Sequence, residues 1–262
     1  MKKMFVIAIV MAATMTANLS AVGFLGTPTA EFGKGKWSLG YDYSYSSQDT
    51  SKEKAKYTIV GDETGTFKFN LRDFNLQRHY ASIGYGLNDN WDVYFKLGVA
   101  DLKSEGKDYE LDSVWSINFD NDMAWGWGTR YTFLKQNKIT WGAAIQMNWL
   151  DTESLSKDRN QKKKIYSFDS YDLLISAGPT IDMGGWKVYG GPFYYYLDGE
   201  YNYKLKDSGL LEYFESADLK ADQNVGAFIG SVIKLSENLD WTVEYATTFD
   251  GWGVGTGIAW KF

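Results

Sequence analysis

The sequence has no cysteine, one histidine and only three prolines in 262 residues. The absence of cysteine excludes a disulfide scaffold and a cysteine nucleophile. The scarcity of proline, combined with 17% aromatic residues, favours β-strands over helices and disorder. A formal net charge of −6 provides no basic surface for nucleic acid. No apolar run reaches the roughly 18 residues of a transmembrane helix, so the sequence excludes a helical inner-membrane protein.

The first 22 residues have the three-part order of a secretory signal peptide. Lys2 and Lys3 precede an apolar stretch from Met4 to Ala13, and small residues follow between Ala17 and Gly23. We expect the mature chain to begin between Val22 and Phe24. The alternative is a retained anchor, but the apolar run is shorter than the roughly 20 residues that span a bilayer.

From Gly35 onward, apolar residues alternate with small, polar or charged ones. This period of two predicts β-strands. Ten such runs occur: Gly35 to Ser47, Arg72 to Leu87, Trp91 to Asp101, Asp122 to Lys135, Ile139 to Leu150, Phe168 to Ile181, Trp186 to Leu197, Asp222 to Leu235, Asp240 to Phe249 and Trp252 to Phe262. Short turns mostly alternate with connections of about 15 to 25 residues, an arrangement that is typical of outer-membrane barrels.

The predicted fold is therefore an all-β, antiparallel, up-and-down transmembrane barrel. About ten strands are expected, with 8 or 12 as alternatives. We assign residues 1–22 to the signal peptide, 23–34 to a periplasmic lead-in and 35–262 to the barrel. Runs such as Tyr57 to Val60, Phe67 to Phe69 and Tyr201 to Tyr203 predict that strands continue above the membrane as hairpins.

The end of the chain supports a membrane barrel over a secreted β-sandwich. Phe262 is terminal, Trp260 lies two residues before it, and Gly257 lies earlier in the same strand. This ending resembles the C-terminal assembly signal of bacterial outer-membrane barrels, although Gly255 stands where that signal often has a polar residue. The resemblance implies outer-membrane localisation, with periplasmic chaperones and the barrel-assembly machinery as partners during biogenesis. It also implies contact with membrane lipid and lipopolysaccharide; the oligomeric state stays open.

The stretch from Gly23 to Trp37 resembles the opening of many outer-membrane barrels. Two interpretations remain. The segment is either tucked into the periplasmic mouth or a flexible lead-in with a turn at Pro28, and the second is favoured.

Ten strands is also the size of the omptin surface proteases, which need paired acidic residues and an Asp–His couple. The single histidine, His79, has Gln77 rather than aspartate two residues before it. Lipid-modifying barrels combine histidine with serine, but His79 and Ser82 lie on opposite faces of a strand. We therefore predict no catalytic residue, no metal site and no cofactor.

The alternation places ten charged residues on the inward face: Asp42, Arg78, Asp92, Lys96, Arg130, Asp172, Lys187, Lys234, Glu244 and Lys261. They form either a salt-bridged plug or a constricted aqueous path that sets ion preference. Glu244 and Asp172 are candidate partners for Lys96 and Arg130.

Outside the barrel, the predicted loop from Asp151 to Ser167 contains a basic cluster, Lys162 to Lys164. These lysines either meet lipopolysaccharide phosphates or are simply solvated. The leading functional hypothesis is a non-enzymatic barrel, either a narrow pore or a structural surface protein. The alternatives are a surface adhesin or ligand-binding barrel and, last, an outer-membrane hydrolase.

Overall fold

The computed structural model describes residues 23–108, 113–119, 121–157, 162–207, 210–221, 224–249 and 251–262. The predicted signal peptide lies outside the described residues. Among these residues no helix is long and apolar enough to cross a membrane. The strands are β1 (Trp37–Gln48), β2 (Glu53–Ile59), β3 (Thr64–Asn88), β4 (Trp91–Asp108), β5 (Ser113–Asn118), β6 (Asp122–Gln136), β7 (Ile139–Lys157), β8 (Lys163–Asp182), β9 (Trp186–Asp207), β10 (Leu210–Lys220), β11 (Val225–Lys234), β12 (Leu239–Thr247) and β13 (Gly251–Lys261).

Ten of these strands close into an antiparallel barrel. Its order is β1, β3, β4, β6, β7, β8, β9, β11, β12 and β13, and β13 pairs with β1. Each barrel strand pairs with the next barrel strand along the chain. Tight turns such as Asp89–Asn90, between β3 and β4, join the strands at the periplasmic end. The predicted class and strand number are confirmed.

Several strands extend further on the extracellular side than predicted. β3 begins at Thr64 rather than Arg72, and β9 continues to Asp207 rather than Leu197. The added lengths are paired: β2 with β3, β10 with both β9 and β2, and β5 with β4. Alternating aromatic and β-branched residues in the long connections explain this extension.

The outward face is apolar and carries aromatic rings at two levels. On β7 every outward side chain from Ile139 to Trp149 is apolar, so the apolar face is eleven residues long. This length matches a transmembrane strand of about 9–11 residues. Ring contacts at the periplasmic level are Trp37–Tyr85, Trp91–Tyr131 and Trp260–Phe262. Those at the extracellular level are Trp125–Trp149, Tyr171–Tyr196 and Tyr45–Trp252. These belts match the aromatic girdles of membrane barrels and bound the membrane-spanning part of each strand.

Candidate functional site: the barrel interior

A buried ion pair crosses the middle of the lumen. Arg78 on β3 contacts Asp172 on β8 through its guanidinium, and both side chains are at least 95% buried. β3 and β8 are not neighbours in the barrel, so the two side chains meet across the interior. Asn148 on β7 donates to the other Asp172 oxygen at 2.6 Å. Such a pair resists separation because one buried charge without its partner is strongly unfavourable.

The extracellular side of this ion pair is filled by apolar side chains. Inward-facing residues of β2 to β10 form one continuous cluster. Its members at 1% exposure or less are Ala55, Phe69, Leu71, Phe74, Ala100, Leu102, Ile117, Ala124, Phe168, Tyr201 and Leu219. The upper lumen is therefore a packed core formed by the barrel and its extracellular extension.

The periplasmic side is filled by residues 23–36, which we call the plug segment. The backbone N–H groups of Leu25 and Gly26 donate to the Glu244 carboxylate at 2.8 and 2.9 Å. Those of Glu31 and Phe32 donate to one Asp92 oxygen at 2.5 and 3.2 Å. Two carboxylates of the barrel wall thus satisfy four backbone donors of a segment without regular secondary structure.

Side chains add further links between the plug segment and the wall. Glu31 pairs with Lys187 at 2.6 Å and Lys261 at 3.5 Å. Arg130 donates to Thr27 at 3.2 Å and lies 4.6 Å above the Phe32 ring. The plug segment is therefore held by charged wall residues on several strands.

The plug segment lies inside the periplasmic mouth, as in the less favoured of the two interpretations of the sequence. Its path is accommodated by wall glycines, because a Cβ atom at Gly84 would overlap the Phe32 ring. One at Gly86 would overlap the Gly33 carbonyl. The abundance of glycine on the inner wall is the sequence signal for the space that the plug segment occupies. From the sequence alone, this glycine indicates only a narrow lumen.

The predicted inward charges lie in the interior, with one exception. Lys234 ends β11 at the periplasmic rim and is exposed. The expected pairing is wrong: Lys96 lies 3.5 Å from Asp42 and Arg130 lies 3.3 Å from Asp92. A cavity of about 90 Å³ lies between the plug segment and the wall and includes Asp42, Lys96 and Arg130 in its lining. This volume holds a few water molecules.

The single histidine, His79, faces away from the lumen. His79 Nδ1 and the Tyr41 hydroxyl are hydrogen-bonded at 2.6 Å. The imidazole also packs against the Tyr43 ring, with the ring centroids 4.9 Å apart. Ser82 lines the lumen cavity, on the opposite face. In the part of the chain that the structure describes, no group of three His, Asp or Glu side chains could hold a metal ion.

The basic cluster is part of the extracellular sheet instead of a free loop. β8 begins at Lys163 and Lys164 follows it in the strand. Lys162 pairs with Glu212 and lies 3.9 Å from Asp207. Its contact with lipopolysaccharide stays a prediction.

The three residues of the predicted assembly signal lie on β13 and at its end. Trp260 and Phe262 are exposed on the outside with ring centroids 5.5 Å apart. Gly257 faces inward, where an added Cβ would lie 2.5 Å from an Asp42 oxygen. Recognition by assembly machinery stays a prediction.

Four outward carboxylates lie in a row just beyond the extracellular girdle. Asp151, Asp169, Glu200 and Asp218 are direct partners on β7, β8, β9 and β10. Like charges directly opposite each other are unfavourable. Partial burial, together with the hydrogen bond and charge of Asp151, raises the pKa of Asp169 to about 6.

We expect Asp169→Asn to stabilise the barrel at pH 8 by up to about 1 kcal/mol and to have little effect at pH 4. Asp169 binds its proton more tightly in the folded state. Protonation of Asp169 therefore stabilises the folded state fully below the unfolded pKa of about 4. This stabilisation is lost as the pH rises through about 6. Urea midpoints at both pH values measure this. Glu153→Gln is the control, because Glu153 lies opposite Ser167; equal midpoints for Asp169→Asn and the unaltered protein at pH 8 would refute the prediction.

Comparisons with known proteins agree with this architecture. No family model and no curated protein matches the chain. The outer-membrane protease OmpT from Escherichia coli is 10% identical, with 89% of this chain and 99% of that chain covered and a TM-score of 0.52. OprG from Pseudomonas aeruginosa is 13% identical, with coverages of 88% and 97% and a TM-score of 0.47. The outer-membrane protein AlkL is 10% identical, with coverages of 95% and 97% and a TM-score of 0.40. The chain has the fold of bacterial outer-membrane β-barrel proteins.

Proposed function

We propose that the protein is a non-enzymatic outer-membrane barrel with a closed lumen, and that it serves as a structural surface protein instead of a passive pore. The observation that carries this proposal is the Arg78–Asp172 pair, which joins two non-adjacent strands across the lumen. The apolar cluster above it and the plug segment below it support the same conclusion. A solute would have to displace three packed layers to cross.

The absence of a catalytic role is part of the proposal. OmpT is a protease, and its likeness to this chain concerns the fold alone. His79 faces outward between tyrosine rings, where it is separated from the acids of the lumen by the wall. This orientation supports a barrel without acid–base chemistry.

A second candidate function, ligand binding at the cell surface, is favoured by one observation. Four half-buried tyrosines lie at the extracellular end of the apolar cluster, namely Tyr57, Tyr166, Tyr203 and Tyr213. Their rings are in contact, with centroids 4.8 to 6.2 Å apart along the series. Amphipathic rings that are partly exposed are common in binding surfaces.

The test is single-channel recording in planar bilayers with the refolded mature protein. We expect no discrete current steps, because the described residues fill the lumen in three successive layers and ion conduction needs a continuous aqueous path. Heat-modifiable migration on a detergent gel verifies that the sample is folded. The Arg78→Ala/Asp172→Ala double variant is the comparison, since it removes the ion pair without changing net charge. Regular steps from the unaltered protein would refute a closed lumen.

A further inference from the structure

The barrel closes where the first and last strands meet, and the plug segment crosses this junction on the inside. β1 and β13 pair over eleven positions, from Ser38↔Lys261 to Gln48↔Gly251. In a barrel this is the junction between strands most distant in sequence, so its closure carries the largest loop entropy. Contacts that span it therefore stabilise the closed form.

On one side of the junction the plug segment contacts β12 and β13. Leu25 and Gly26 bind Glu244 of β12 through their backbone N–H groups. The Phe24 ring packs on Gly255 of β13, where an added Cβ would lie only 2.5 Å from a ring carbon. Glu31 reaches Lys261, also on β13, at 3.5 Å.

On the other side it contacts β3 and β4. Glu31 and Phe32 donate to Asp92 of β4. Gly35 donates to the Gly86 carbonyl of β3 at 2.8 Å. Glu31 is the central residue, because its backbone binds β4 while its carboxylate binds β13 and, through Lys187, β9.

We propose that the plug segment is an internal clamp for barrel closure. It seats fully only when β1 and β13 are joined, and it then keeps this junction from opening. The binding surface does not exist in an open sheet, because the strands that form it lie at opposite ends of the sheet before closure. The clamp thus couples the last step of folding to the stability of the junction.

The test is amide hydrogen exchange in the refolded mature protein, comparing the unaltered chain with Glu31→Gln. We expect amides of β1 and β13 to exchange roughly tenfold faster in the variant, while those of β6 and β7 change by less than about twofold. Lys34→Gln is the control, since Lys34 lies in the same segment with an exposed side chain and also changes the charge by one unit. Uniform acceleration of all strands would overturn the proposal, as would no acceleration of β1 and β13.

A covalent tether provides the opposite perturbation. The hydroxyls of Thr29 and Thr180 lie 2.8 Å apart, so Thr29→Cys/Thr180→Cys places two thiols close together for oxidation to a disulfide, and the natural chain contains no cysteine that could compete. Oxidation should slow exchange at β1 and β13 relative to the reduced protein, because the segment can no longer leave its seat. Equal exchange in the oxidised and reduced forms would overturn the clamp.

Discussion

Replacing Arg78 with alanine is expected to destabilise the folded barrel by about 3 to 5 kcal/mol. The substitution leaves the Asp172 carboxylate, 1% exposed, without its cation in the middle of the lumen. Asn148 retains its hydrogen bond to that carboxylate but cannot neutralise it. Urea unfolding followed by tryptophan fluorescence and gel mobility measures the change.

Two further variants separate a lost pair from a lost charge. Arg78→Leu/Asp172→Leu should recover most of the stability, because it removes both charges and adds apolar volume. Lys103→Ala, which breaks the Lys103–Asp101 pair with 55% of the lysine side chain exposed, should cost less than about 1 kcal/mol. If Arg78→Ala costs no more than Lys103→Ala, the central layer is hydrated and the lumen is not closed there.

The second large effect is expected from Glu244→Ala, at about 3 to 5 kcal/mol. Its carboxylate accepts hydrogen bonds from Leu25, Gly26 and the Tyr189 hydroxyl, at 2.8 to 2.9 Å. Alanine leaves these three donors without an acceptor inside the barrel. The measurements are the urea midpoint and the rate at which a protease cleaves the plug segment.

Glu244→Gln separates the role of the acceptor from that of the charge. Its amide oxygen can still accept from the backbone, so we expect a smaller loss than with alanine. Glu237→Ala, in the exposed turn between β11 and β12, should change neither quantity. A plug segment that stays resistant to protease in Glu244→Ala would contradict the assigned anchor.

The fold could be predicted from the sequence because a two-residue period determines whether each side chain in a strand faces inward or outward. On β4, for example, Asp92 and Lys96 share one face and Trp91 and Phe95 the other, as alternation requires. Turn formers such as Asn90 ended the runs. The extracellular extension was visible as alternating aromatics in segments otherwise interpreted as loops.

Partners across the lumen could not be predicted in the same way. Alternation says that Arg78 points inward but contains no distance to the opposite wall, so it could not identify Asp172 as its partner. Arg130 was expected to pair with Glu244 or Asp172, whereas it pairs with Asp92, which lies directly opposite it on the neighbouring strand β4. The plug segment had no period at all, because the backbone N–H groups of Leu25, Gly26, Glu31 and Phe32 bond to wall carboxylates instead of to a neighbouring strand. Its seat depends on tertiary contacts that single-sequence patterns do not contain.

The close fit between the plug segment and the glycines beneath it has an evolutionary consequence. Gly84 and Gly86 are small because Phe32 and Gly33 occupy the space above them, so the two regions should change together. A related chain that has lost the segment should have larger residues at these wall positions, filling the vacated volume. One that retains the segment should keep glycine there even where the rest of the barrel has diverged. Co-variation between two stretches about 50 residues apart would then distinguish this barrel's descendants from others with the same number of strands.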